Sequence, residues 1–236
     1  MMHPLLSELI GTALLILLGD GVVANVVLKQ TKGHAGGWIV IAAGWSLAVF
    51  LGVLVSAAAS GAHLNPAVSV GLAVAGNFDW SLVPGYCAAQ LLGACLGASL
   101  VWLQYAAHFE VTEDGDAKLA VFCTGPAIRS LGLNLVSEVI GTFVLVFAAL
   151  NISSPSGGLG SLDALPIALV VMGIGLSLGG TTGYAINPAR DLGPRIMHAL
   201  LPISRKRDSD WGYAWVPVVG PIVGAVLAAV VFRTLK

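Results

Sequence analysis

Two short segments set amide side chains beside helix-start signals within apolar sequence: Asn65-Pro66-Ala67 and Asn187-Pro188-Ala189, the second followed directly by Arg190-Asp191. Asn is a favoured N-cap and Pro a favoured first helical residue, so each Asn-Pro opens a helix. The residues just upstream, Gly61, Ala62, His63 and Leu64 in one case and Gly183, Tyr184, Ala185 and Ile186 in the other, are then non-helical. Their carbonyls form a ladder of acceptors, and Asn65 and Asn187 add amide donors at its end. A polar, uncharged molecule can exchange its water shell for such groups in single file. Two helix N-termini facing one point carry about half a positive charge each, which disfavours a cation there, hydronium included. Arg190 stands one turn inside its helix, and an Arg alone in hydrocarbon is costly, so it faces a wet cavity or a partner. Its neighbour Asp191 lies about 100° further round the helix.

Other candidate chemistry is sparse. Glu8 and Glu138 fall within apolar stretches and allow a proton relay or a scaffold role; Asp20, flanked by Gly19 and Gly21, lines a vestibule or caps nearby backbone. His63 reads as a hydrogen-bonded structural residue beside the ladder rather than a pH gate. No plausibly positioned Ser/His/Asp set, metal-ligand cluster or phosphate-cradling Gly loop is present, so the sequence predicts neither an enzyme nor a cofactor or metal. Cys87, Cys95 and Cys123 lack metal-ligand spacing and read as small buried hydrophobes.

The elements that must carry these groups follow from composition. With 57% hydrophobic and only 10% charged residues and a mean hydropathy of +0.90, the chain is an integral membrane protein. A net charge of -1 without a dense basic run argues against nucleic acid as a partner. The first apolar stretch is longer than a signal-peptide core and lacks a basic lead, so it reads as an uncleaved span. Windows of about 20 apolar residues predict six spans, near 4–28, 38–59, 82–108, 131–151, 164–183 and 213–235. Two shorter apolar runs, 66–76 and 188–200, each follow an Asn and cover only about half of the hydrocarbon, as re-entrant half-helices would. The longest polar connection, 109–130, reads as a solvated connector.

The halves repeat. Ser7-Glu8-Leu9-Ile10-Gly11-Thr12 returns as Ser137-Glu138-Val139-Ile140-Gly141-Thr142, and Gly61 to Ala67 returns as Gly183 to Ala189. Residues 1–130 and 131–236 are thus two repeats of one channel domain, each with three spans and a half-helix. Three is odd, so the second repeat begins on the opposite side of the membrane and is inverted. The two half-helices then meet start to start near the midplane. The predicted fold is an all-α membrane protein with six transmembrane helices and two re-entrant half-helices.

Two Asn-Pro-Ala motifs in register on inverted half-helices, each after a Gly-containing approach, resemble the aquaporin and glycerol-facilitator (major intrinsic protein) family over the whole chain from Glu8 onward. The resemblance implies a homotetramer in which each protomer holds its own pore. It assigns Asn65 and Asn187 to the pore centre, and Glu8 and Glu138 to a scaffold that accepts hydrogen bonds from the backbone behind the ladder. It also implies a narrow selectivity filter of Trp45, Gly175, Tyr184 and Arg190, matched by position relative to the motifs. This looks like the aquaglyceroporin branch, where two aromatics and an Arg make an amphipathic slot and a small residue leaves room for carbon. Water-selective relatives commonly carry His at the Gly175 position, and glycerol facilitators often have Phe where Tyr184 stands. The implied function is passive conduction of glycerol, other small neutral solutes and water across a bacterial inner (plasma) membrane, with ions and protons excluded.

Rival readings remain at this stage: a channel for a protonated small organic acid such as lactic acid, a mainly water-selective aquaporin, a coupled secondary transporter, and a structural junction protein. The resemblance puts both termini in the cytoplasm, which leaves Lys29, Lys32, Lys118, Arg129, Arg205, Lys206 and Arg207 in outer connections, against the positive-inside expectation.

Overall fold

The computed structural model describes residues 2–152 and 160–236. Among the described residues the regular structure is all helical. Ten α-helices run in order: α1 (Pro4–Val27), α2 (Trp38–Ser60), α3 (Pro66–Ala75), α4 (Val83–Gln104), α5 (Ala106–Val111), α6 (Gly115–Phe122), α7 (Leu131–Asn151), α8 (Leu165–Ser177), α9 (Pro188–Leu200) and α10 (Val216–Leu235). Short 3-10 turns precede α4 and α8. Five of the helical stretches are long and apolar enough to cross a bilayer, namely α1, α2, α4 with its leading turn, α7 and α10. Their outer faces expose Ile39, Leu47, Leu92 and Leu133, side chains that lipid rather than water would cover.

The half-helices form where Asn-Pro predicted them. Asn65 is extended at φ -159° and caps the 10-residue α3; Asn187, at φ -154°, caps the 13-residue α9. Both caps are followed by Pro at the first helical position, where the missing N–H costs nothing.

Three expectations change. The stretch 164–183 is not one helix: α8 holds 13 residues and stops at Ser177, after which the chain runs irregularly through Gly179 and Gly180 to Asn187. Glycine favours neither helix nor a fixed turn, and the tertiary contacts of Tyr184 claim the space beside Gly179. The span expected to end at residue 108 breaks at Tyr105, and α5 follows in a new direction. Connection 109–130 is not simply solvated. It holds half of α5 and all of α6, and it buries Phe109, Thr112, Lys118 and Phe122. Of the cysteines, Cys123 is buried, whereas Cys87 and Cys95 are only half-buried; all three are free.

Packing pairs recur along the chain. α1 packs on α2 and α4; α7 packs on α8 and α10; α3 lies against α10 and α9 against α4. Each half-helix thus leans on the last long helix of the opposite half. Close approach is set by glycine: a Cβ at Gly97 would sit 2.5 Å from the Ala13 carbonyl, and one at Gly224 would sit 2.4 Å from the Val139 carbonyl. The small residues of α4 therefore serve contact with α1 inside the chain.

Connections 29–37, 105–130 and 201–215 interlock into a cap on one side. Lys29 N donates to Thr112 Oγ1 at 2.9 Å, and His108 Nδ1 lies 3.0 Å from the Lys29 carbonyl. The Lys118 ammonium donates to the Ser204 carbonyl, Arg207 pairs with Asp116, and Arg129 pairs with Asp210. Lys206 Nζ donates to the carbonyls of His198, Ala199 and Leu201, which closes the C-terminus of α9.

Candidate functional site

The two helix starts are tied to each other. Asn65 Oδ1 accepts from Ala67 N at 2.8 Å, as a capping amide should, and its Nδ2 donates to the Ile186 carbonyl at 2.8 Å. Asn187 mirrors it: Oδ1 accepts from Ala189 N at 3.0 Å and Arg190 N at 3.2 Å, and Nδ2 donates to the Leu64 carbonyl at 2.8 Å. A primary amide nitrogen has two N–H groups, so each Asn keeps one donor beyond the reciprocal bond.

The loops before them are held in a conformation side chains rarely adopt. Gly61, Ala62 and Leu64 have φ of 80°, 52° and 52°, and Gly183, Tyr184 and Ile186 have 83°, 40° and 45°. Left-handed backbone costs energy at non-Gly positions and persists only where the surroundings impose it. Here two buried carboxylates impose it. Glu8 Oε1 accepts from His63 N at 2.9 Å and Ser60 Oγ at 2.6 Å, while Oε2 accepts from Leu64 N at 2.7 Å and Gln90 Nε2 at 2.8 Å. Glu138 Oε1 accepts from Thr182 Oγ1 at 2.7 Å and Ala185 N at 3.0 Å, and Oε2 accepts from Ile186 N at 2.8 Å. With these N–H groups drawn to the carboxylates, the loop carbonyls are left for other partners. His63 Nδ1 meets Ser69 Oγ at 2.9 Å, so this ring is tied to the frame.

A cavity of about 260 Å³ runs past these groups. Its polar lining comes from the two loops, with Asn65, Asn187 and Arg190. Its apolar lining comes from long helices and α8, including Leu15, Val49, Val53, Leu145, Ile167 and Val171. Polar groups from loops and apolar groups from helices make an amphipathic channel wall.

Trp45, Tyr184 and Arg190 all line it, and the Arg190 guanidinium stacks 4.1 Å from the centre of the Trp45 ring. Gly175 is different. It does not line the cavity, because Tyr184 fills the space beside it: a Cβ at Gly175 would lie 2.9 Å from Tyr184 Cζ and Oη. The room left by this glycine is taken by the tyrosine ring rather than by solute. Trp38 holds the arrangement from outside, donating Nε1–H to the Gly175 carbonyl at 2.8 Å and meeting the Tyr184 ring edge-on at 5.8 Å. Gly183 also stands back from the cavity, with Thr124 beside the position of its missing Cβ.

Asp191 points away from Arg190, as its helical angle requires. It accepts from Thr124 N at 2.8 Å and Thr124 Oγ1 at 2.7 Å and pairs with Arg195 at 2.8 Å. Sequence reasoning missed Arg195, although the i,i+4 spacing after Asp191 on a helix was a usable signal. It also missed the Phe122 carbonyl, which accepts from Arg190 Nη1 at 3.4 Å and which no side-chain pattern announces. Asp20, whose place was open, is fully buried 3.5 Å from Arg190 Nη1.

A profile of the major intrinsic protein family matches residues 1–232. The chain belongs to the major intrinsic protein family. This major intrinsic protein is 58% identical over 234 residues to a probable glycerol uptake facilitator protein of Thermotoga maritima, a match covering 99% of this chain and all of that one. It is 55% identical to a glycerol uptake facilitator protein of Streptococcus pneumoniae, over 98% of this chain and 99% of the other. Among solved structures, the aquaglyceroporin from Plasmodium falciparum superposes with a TM-score of 0.86 at 36% identity, over 97% of this chain and 94% of that one. Membership places this major intrinsic protein among membrane channels rather than enzymes.

Proposed function

We propose that the chain is a passive channel for glycerol that also passes water and other small uncharged solutes and excludes ions and protons. The observation that carries this is the two-sided cavity. Glycerol has a hydroxyl edge and a carbon edge; the loop carbonyls, the Asn amides and Arg190 suit the first, and the Trp45 ring with the apolar helix faces suits the second. The full names of the relatives at 55% and 58% identity agree with glycerol as solute. Asn65 and Asn187 donate at the centre, Trp45, Tyr184 and Arg190 form the filter, and Glu8 and Glu138 are scaffold. Saturation of both carboxylates by hydrogen bonds favours scaffold over a proton relay. Gly175 acts one step removed, by admitting the Tyr184 ring. We place the chain in a bacterial plasma membrane as a homotetramer, in line with its family.

Stopped-flow light scattering on proteoliposomes tests the reading. Wild type should shrink in an impermeant osmolyte and re-swell quickly in glycerol. Gly175→Ala, whose new methyl presses on Tyr184, should slow re-swelling by about tenfold while water flux persists. Tyr184→Phe should restore part of the glycerol rate in that background. Wild-type vesicles that pass water but fail to re-swell in glycerol would sink the proposal.

A further inference from the structure

The Arg190 guanidinium has a carboxylate behind it. Asp20, on α1, is fully buried and does not line the cavity; its Oδ1 lies 3.5 Å from Arg190 Nη1, and neither of its oxygens has a hydrogen-bond partner among the described residues. The residue before it shapes the same spot: a Cβ at Gly19 would lie 2.2 Å from the Trp45 ring, so α1 receives Trp45 at one residue and Arg190 at the next. A buried carboxylate without hydrogen bonds is costly and persists where an opposite charge compensates it.

The charges around the constriction can be summed. Two guanidinium groups, Arg190 and Arg195, and two carboxyl groups, Asp20 and Asp191, stand there, and all four are buried. Asp191 and Arg195 pair with each other, which leaves Asp20 as the partner of Arg190. With both carboxyls ionised, the state that pairing with a guanidinium favours, two charges of each sign cancel.

We infer that Asp20 is a specificity-determining residue: it acts through Arg190 to make the outer constriction electrically neutral, so that the filter offers N–H donors without attracting anions. The inference rests on reading the cavity as the conducting path. The half-helix ends already favour negative charge at the centre, so an uncompensated Arg190 above them would make one continuous anion-attracting route. Neutrality at the constriction removes the first step of that route. Cation exclusion is then carried by the helix ends at Asn65 and Asn187.

The test compares nitrate and glycerol in proteoliposomes. Nitrate stays ionised at any working pH, and its influx is followed by light scattering as re-swelling after a potassium nitrate shock, with valinomycin carrying potassium as the counter-ion. Wild type should pass glycerol and show nitrate influx no greater than protein-free vesicles. Asp20→Asn, nearly the same shape, should raise nitrate influx by at least about tenfold, because a unit charge is removed within a few ångströms of the path. The double variant Asp20→Asn with Arg190→Gln restores the balance and should return nitrate influx to the wild-type level. A silent single variant beside normal wild-type glycerol flux would overturn the inference alone. So would a double variant that leaks as much as the single one, since that marks a packing defect. Absence of glycerol flux in wild type removes the path, and the inference falls with it.

Discussion

Glu8 accepts four hydrogen bonds with its two oxygens, and two of the donors are backbone N–H groups of a loop held at positive φ. Replacing it by Gln leaves one oxygen to accept and sets an amide N–H₂ against donors that need an acceptor. Glu8→Gln should therefore lower stability by about 2 to 4 kcal/mol, since buried donors lose a charged partner. Thermal unfolding in detergent reads this, and glycerol flux should fall with it as the carbonyl ladder loses its fixed form. An unchanged melting temperature with unchanged flux would show that the loop holds itself. At this scale the sequence was legible wherever the repeat doubled the signal: Glu8 with Glu138, Asn65 with Asn187. It was silent where a residue acts through a single partner distant in the chain, as Asp20 does through Arg190. Gly175 shows another limit, because a missing side chain says where space is left but not which neighbouring ring turns into it.

Helix α4 shows what the elements require of their faces. Gly93 and Gly97 stand against the backbone of α1, with a Cβ at Gly93 only 2.3 Å from the Leu9 carbonyl. Gly97→Leu must therefore push α1 away, and α1 carries both Glu8 and Asp20. The expected result is a loss of folded protein, seen as aggregation on size exclusion, whereas Gly132→Leu on α7, whose Cβ position has nothing within 4 Å, should behave as wild type. Equal tolerance of both substitutions would mean that the α1–α4 contact is not tight. Long apolar helices and the Asn-Pro starts were readable from hydropathy and capping chemistry. The end of α8 at Ser177 and the break at Tyr105 were not, because a window of about 20 residues is wider than the few residues where each helix stops and the deciding contacts are tertiary.

Across the whole molecule, the cationic connections form a structure of their own. Arg195 is fully buried and ties α9 to both long connections, donating to Asp191, to the Thr124 carbonyl at 2.9 Å and to the Ser209 carbonyl at 2.8 Å. Arg195→Met should cost about 3 to 5 kcal/mol, because Asp191 is then a buried charge without its partner. Arg207→Ala removes an exposed pair with Asp116 and should shift the melting temperature by less than about 2 °C. Equal effects would show that burial does not rank these arginines. The same interlocking gives the cations of the connections a structural role. Arg129, Arg205 and Arg207 pair with acidic side chains of other connections, and Lys118 and Lys206 donate to backbone carbonyls, so these cations serve the cap.

The reciprocal bonds between Asn65 and Ile186 and between Asn187 and Leu64 also bear on how the protein is made. Glu8 finds all its partners before residue 91, and Glu138 finds all of its own after residue 137, so each half can set its own loop as it leaves the ribosome. The side-chain amides, the Asp20–Arg190 pair and the seat of α3 against α10 all wait for the other half. A first half alone would hold every partner of Glu8 but would lack Arg190 for Asp20 and α10 for α3. A cavity lined by both loops needs both halves, so a chain halted after its first half would have none.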